Sequence, residues 1–91
     1  MLTCVHAVIS GDVQGMGYRY FVRRIAIELD IAGWVKNNAA GTVELESEGE
    51  KEKLSQYLQR LKTEHPYASI ESVEVKWLPY ENKYSNFSIK L

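Results

Sequence analysis

Apolar residues along this chain alternate between two spacings, and this alternation most constrains the fold. Where they occupy every second position they predict strands, and where they recur every three or four positions they predict helices. Strands are predicted at residues 3–10, 33–38, 42–48, 73–77 and 87–91. Helices are predicted over residues 20–31, ended by Gly33, and from Gly49 to Pro66. The expected order is therefore β-α-β-β-α-β, followed by a short extra strand.

This order predicts an α+β sandwich of the ferredoxin-like type, with an antiparallel or mixed sheet and both helices on one face. The first helix would connect two parallel strands by a right-handed crossover. A single domain is expected over residues 1–91, because a chain of this length has no room for a second core. The fold hosts many unrelated activities, so function has to be argued from particular residues.

Composition argues against several classes of function. The formal net charge of −1 argues against broad nucleic-acid binding, which depends on neutralising many phosphates. The chain has no apolar run of the roughly 20 residues that cross a bilayer, and its N-terminus lacks the pattern of a secretion signal. Cys4 is the only cysteine, so no internal disulfide can form and a reducing compartment is expected. We therefore expect a soluble cytoplasmic protein with no membrane partner.

The segment Gly11–Arg19 carries the strongest chemical signal. Its sequence, GDVQGMGYR, places three glycines between an apolar run and a helical one. Glycine tolerates the positive φ angles that turn successive backbone N–H groups into one anion-binding cup. The helix that follows adds unpaired N–H groups and the positive end of its dipole. Arg19 supplies a planar set of donors that matches phosphate or carboxylate, so the segment predicts a site for a small oxyanion.

The third strand is expected to have one buried and one acidic face. Val43 and Leu45 point one way, whereas Glu44, Glu46 and Glu48 point the other. A half-buried strand of this kind predicts that the three carboxylates are solvated.

The first helix carries further polar residues near the proposed cup. Arg23 and Arg24 are interpreted as surface charge, although their field could steer anions. Of Tyr18 and Tyr20, one is expected to pack in the core, and either could flank a substrate. No residue pattern clearly predicts a pocket for the part of a ligand that lies beyond its oxyanion.

Two motifs resemble the signatures of the acylphosphatase family. The first is Gly11–Arg19, and the second comprises GWVKN at residues 33–37, GTV at residues 41–43, and Gly49. Both occur in the family's order and spacing, so the resemblance extends over essentially the whole chain. Departures are small: Met16 stands where the family usually has valine, and Tyr18 stands where phenylalanine is common. Asp12 places an acid beside the cup, and the sequence offers no role for it.

The resemblance implies a metal-free and cofactor-free monomer that hydrolyses small acyl phosphates to carboxylate and inorganic phosphate. It implies Arg19 and Asn37 as catalytic residues, with Asn37 positioning the attacking water. The phosphate-binding residues that it implies are Gly15, Met16, Gly17, Tyr18 and Arg19.

The chemistry of an acyl phosphate is compatible with so few functional groups. Its leaving group is a carboxylate that is stable at neutral pH, so no strong general acid is needed.

Two other functions stay open: a non-catalytic phosphate- or carbamoyl-phosphate-binding module, and an RNA-binding module on the same sandwich. Asn37 argues against the first, because binding alone needs no water-orienting amide. The acidic third strand argues against the RNA-binding module, which would need a basic face with exposed aromatic residues.

Overall fold

The computed structural model describes residues 1–91 as five strands and two helices. The strands are β1 (Leu2–Asp12), β2 (Ala32–Asn37), β3 (Val43–Glu50), β4 (Ser69–Leu78) and β5 (Phe87–Ile89). The helices are α1 (Tyr18–Glu28), between β1 and β2, and α2 (Lys51–Thr63), between β3 and β4. The predicted order and the extra C-terminal strand are confirmed. Neither helix has the length and apolar character of a membrane-spanning segment.

One mixed sheet has the strand order β4-β1-β3-β2-β5. β1 pairs antiparallel with β3, and β3 pairs antiparallel with β2, so β1 and β2 run parallel with β3 between them. β4 pairs antiparallel with β1 at one edge, and β5 pairs parallel with β2 at the other. This is the ferredoxin-like arrangement that the sequence predicts. It places the loop after β1 next to the end of β2.

The boundaries of both helices differ from those predicted. α1 ends at Glu28 and not at Ile31, because Asp30 adopts a left-handed conformation with φ of 59° before β2 begins. Gly33 therefore does not stop the helix but lies within β2. Gly49 belongs to β3, where it pairs with Thr3, so α2 begins only at Lys51.

The core lies between the sheet and the two helices. The alternate β1 residues Val5, Ala7 and Ile9 are buried there, as the spacing predicts. α2 contributes its predicted apolar stripe of Leu54, Tyr57, Leu58 and Leu61. Altogether 18 buried residues form one continuous cluster.

The predicted solvated acidic face of β3 is wrong. Glu48 is only 3% exposed, and Glu44 and Glu46 are half-buried. The segment between β4 and β5 returns across this face, and the Glu48 carboxylate accepts backbone N–H groups of Glu81 and Lys83 at 2.9 and 3.0 Å. Strand alternation predicts that these side chains share a face, but not that a distant segment covers it.

Glu46 lies at the centre of this covered face. It accepts hydrogen bonds from the Tyr84 hydroxyl, from Lys83 and from His6. Burial alone would raise the pKa of Glu46, but the hydrogen bonds from these three groups outweigh burial and lower the pKa to about 2. The ionised carboxylate therefore stabilises the fold.

We expect Glu46→Gln to lower the free energy of unfolding by about 2 kcal/mol at neutral pH, because charged hydrogen bonds are lost. The folded-state pKa lies below the ordinary value of 4.5, so the contribution is present above that pH and is lost as the pH falls towards 2. Urea unfolding of wild type and variant across this range measures the difference. Glu74→Gln is the control, since Glu74 is exposed on β4. A difference that stays constant with pH would contradict the assigned role.

Candidate active site

The loop between β1 and α1 contains two glycines in left-handed conformations. Gly15 has φ of 82° and Gly17 has φ of 74°. A Cβ added at either would meet no atom within 4 Å, so the backbone conformation, not crowding, calls for glycine. Gly17 is the N-cap of α1 and provides no side-chain cap for the first-turn amides. The loop therefore presents the start of α1 as a set of free backbone donors.

Gln14 ties this loop to the turn between β2 and β3. Its Nε2 donates to the carbonyl oxygens of Asn38 and Thr42, both at 2.9 Å. Asn38 in turn donates its side-chain amide to Thr42 Oγ1 at 3.0 Å, as expected of a turn residue. These bonds hold the glycine loop beside the end of β2. No local sequence pattern predicts this role of Gln14, because its two acceptors lie far away in the chain.

Arg19 lies in the first turn of α1 and makes no hydrogen bond or ion pair within the protein. The other arginines are all engaged: Arg23 with the Phe87 carbonyl, Arg24 with Glu28, and Arg60 with Glu28 and Glu64. Arg19 is therefore not a surface salt-bridge residue. Its guanidinium donors are free for an external anion.

Asn37 is the last residue of β2 and pairs with Val43. Its Oδ1 is buried and has no hydrogen-bond partner, and no other buried side-chain nitrogen or oxygen shares this condition. A buried acceptor without a partner costs roughly 1–3 kcal/mol, so it calls for a functional explanation.

These groups meet at one small cavity of about 100 Å³. Its walls are formed by Val13, Gly15, Gly17, Tyr18, Arg19, Tyr20 and Asn37. Of the residues that the sequence implicates, only Met16 does not line it; its side chain packs partly buried against the core. Larger hollows occur on the surface, such as one of about 670 Å³ near Met1 and Glu50, but none contains an unpartnered buried polar atom.

The two tyrosines beside Arg19 have different environments. Tyr18 is 2% exposed, and its hydroxyl donates to the Leu61 carbonyl at 2.7 Å. Burial raises the pKa of Tyr18, so the phenol stays neutral. Tyr18 therefore packs in the core although it also lines the cavity, whereas Tyr20 is 65% exposed at the rim.

Asp12 does not enter the cavity. It is exposed at the end of β1, where it pairs with Ser69 of β4. Its carboxylate therefore does not repel an anion from within the cup.

No thiol or imidazole lies at the cavity. Cys4 is buried on the opposite face of the sheet, where burial and the charges of Glu46 and Glu48 raise its pKa to about 11. His65 accepts the backbone N–H groups of Tyr67 and Ala68 after α2. The cavity therefore brings together backbone amides at a helix N-terminus, one unpaired guanidinium and the side chain of Asn37, and the amides and guanidinium are donors that suit a small oxyanion.

Comparisons with known proteins point to one family. The family model described as Acylphosphatase matches residues 5–89. Among relatives, an acylphosphatase of Bacillus pumilus is 38% identical over 85 residues, covering 93% of this chain and 94% of that protein. One of Archaeoglobus fulgidus is 44% identical over 81 residues, covering 89% and 90%. The crystal structure of an acylphosphatase from Bacillus subtilis matches with a TM-score of 0.93 at 33% identity, covering both chains completely.

Proposed function

The chain belongs to the acylphosphatase family and is an acylphosphatase; we propose that Arg19, the backbone amides of residues 15–19 and Asn37 carry out its reaction. The substrate class is small acyl phosphates, and the products are a carboxylate and inorganic phosphate. The proposal rests chiefly on one observation. Asn37, whose Oδ1 is buried and unpartnered, lines the same cavity as the unpaired Arg19 and the glycine loop.

The phosphoryl group is bound first. Its oxygens accept hydrogen bonds from the loop amides and from the first turn of α1, while the Arg19 guanidinium donates to them as a planar pair. These donors are held in place by the helix and by the Gln14 hydrogen bonds, so little reorganisation is needed as charge redistributes in the transition state.

Asn37 then orients the nucleophile. Its Oδ1 accepts a hydrogen bond from a water molecule, which aims the water's lone pair at phosphorus. A bond forms between the water oxygen and phosphorus while the bond between phosphorus and the carboxyl oxygen breaks. The electron pair of the broken bond leaves with the carboxylate, and the water proton passes to a phosphoryl oxygen. No protein group has to act as a strong acid or base, because the carboxylate is a good leaving group.

Release of phosphate from benzoyl phosphate by the purified protein tests the proposed function. We expect turnover to continue in EDTA, because every proposed role is filled by a protein group or by water. Binding of phosphate without any hydrolysis would favour the binding-module alternative, and loss of turnover in EDTA would contradict the metal-free mechanism.

We expect Asn37→Ala to lower kcat by about 100-fold, the typical effect of losing one preorganised polar group, with a small change in KM. We expect kcat to change more than KM because, in the proposed mechanism, Asn37 contacts the water and not the phosphoryl group. Steady-state kinetics with benzoyl phosphate measures both constants.

Asn38→Ala is the matched control for this variant, since the neighbouring amide bonds only to Thr42 within the turn. It should retain most of the wild-type kcat. A folded Asn37→Ala protein with full activity would exclude the water-positioning role.

We further propose that the enzyme acts as a cytoplasmic monomer. All the proposed functional groups come from one chain, and all except Met16 line one cavity, so a second copy is not needed to complete it. The free, buried Cys4 thiol is compatible with a reducing compartment. Sedimentation equilibrium at assay concentrations tests the monomeric state.

A further inference from the structure

A second hollow of about 370 Å³ adjoins the phosphate cavity, and Tyr20 borders both. Beyond Tyr20 it is lined by Arg23 of α1 and by residues 86–89 around β5. The hollow therefore shares a wall with the cup at the exposed Tyr20. This position makes it a candidate site for the end of the substrate that the phosphate loop does not touch.

Arg23 is placed to face such a group. It follows Arg19 by one helical turn, so the two side chains lie on the same face of α1, with Cβ atoms about 6 Å apart. Its Nε donates to the Phe87 carbonyl at 3.2 Å, which anchors the guanidinium against β5. The two terminal nitrogens have no acceptor in the protein, and no carboxylate pairs with Arg23.

The charged residues around Arg23 indicate that Arg23 acts in ligand binding rather than in stabilising the fold. Arg24, the adjacent arginine, pairs with Glu28 at 3.1 Å, as a surface helix charge commonly does. Asp30 and Arg23 both line a third hollow, but the two side chains form no ion pair. Asn86 and Ser88 add polar side chains to the hollow itself. An anchored arginine with free donors in a polar hollow suits an anion more than an alkyl chain.

We propose that Arg23 determines specificity by binding a second anionic group on the acyl part of the substrate. The preferred substrates are acyl phosphates whose acyl group carries a carboxylate or another oxyanion a few bonds from the carbonyl carbon. This inference rests on the proposed function, since it assumes that Arg19 and the loop hold the phosphoryl end. The hollow beside Tyr20 then discriminates among acyl phosphates by their acyl groups, since all of them share the phosphoryl end.

The test compares meta-carboxybenzoyl phosphate with meta-methylbenzoyl phosphate. The two differ in one charged group, and the rigid ring prevents the carboxylate from attacking its own acyl carbon. We expect wild-type kcat/KM to favour the carboxylated substrate by about 10-fold, as one charged hydrogen bond would give. In Arg23→Gln this ratio should fall close to unity, with kcat for the methylated substrate and inhibition by inorganic phosphate unchanged.

Arg24→Gln is the control for a general loss of positive field, because it removes the same charge from the neighbouring position. It should preserve the wild-type ratio. Since the ratio does not depend on the fraction of folded enzyme, a structural effect of losing the Phe87 bond would not imitate the result.

Equal efficiency towards both substrates in the wild type, or an unchanged ratio in Arg23→Gln, would overturn this inference while leaving the proposed function intact. Failure of the wild type to hydrolyse either substrate would overturn the proposed function and this inference together.

Discussion

Arg19→Gln is expected to lower kcat/KM for benzoyl phosphate by about 1,000-fold, at the level seen when an arginine that stabilises a transferring phosphoryl group is removed. Glutamine keeps one donor and much of the length but loses the charge and the planar pair of donors. The loss should appear in both kcat and KM, because Arg19 contacts the phosphoryl group in the ground state and in the transition state. Steady-state kinetics measures the effect, and inhibition by inorganic phosphate should weaken in parallel.

The stability of this variant separates a functional effect from a structural one. Arg19 makes no ion pair in the protein, so we expect its replacement to change the free energy of unfolding by less than about 0.5 kcal/mol. Arg24→Gln again serves as the control, since its partner Glu28 lies away from the cavity. Near wild-type turnover by a folded Arg19→Gln protein would exclude Arg19 from the catalytic machinery.

Gly33→Ala is expected to prevent stable folding. Gly33 has φ of 151° within β2, and a Cβ there would lie 2.0 Å from the Glu46 carbonyl oxygen and 2.8 Å from the Ser47 Cα. Both atoms are backbone of the paired strand β3, so no side-chain rotation relieves the clash. We expect a destabilisation of more than about 4 kcal/mol, which is comparable with the whole stability of many small domains. Circular dichroism and urea unfolding measure it.

Gly49→Ala is the matched control for this substitution. Gly49 lies on β3, and its added Cβ would come no closer than 3.4 Å to Ile31 Cγ1, which is ordinary contact. We expect a change within about 1 kcal/mol for this variant. If Gly33→Ala unfolded at the urea concentration of the wild type, close packing of β2 against β3 would not explain the glycine. Because β2 also ends at Asn37, a distortion at Gly33 would be carried to the active site.

Much of the fold could be predicted because its signals are local. The alternating apolar residues of β1 and the stripe on α2 specify which side of each element is buried, and the observed core contains both. Helix ends were less predictable. The sequence pattern pointed to Gly33 as the stop of α1, but the chain turns earlier through Asp30, a residue that adopts positive φ less readily than glycine. The sequence does not predict that Glu46 and Glu48 are covered, because the residues that cover them lie far along the chain.

By itself, the sequence determined the order of elements, the family resemblance and the identity of the glycines and of Arg19, since each depends on residues close together in the chain. Only the tertiary structure decided which polar groups have partners. Arg19 is unpaired, Asn37 Oδ1 is buried without a donor, and Arg23 is anchored to β5 beside a hollow. The reason is physical: the partner of a charge or an amide is set by which distant strands pair with one another and in what register, and no local pattern encodes that.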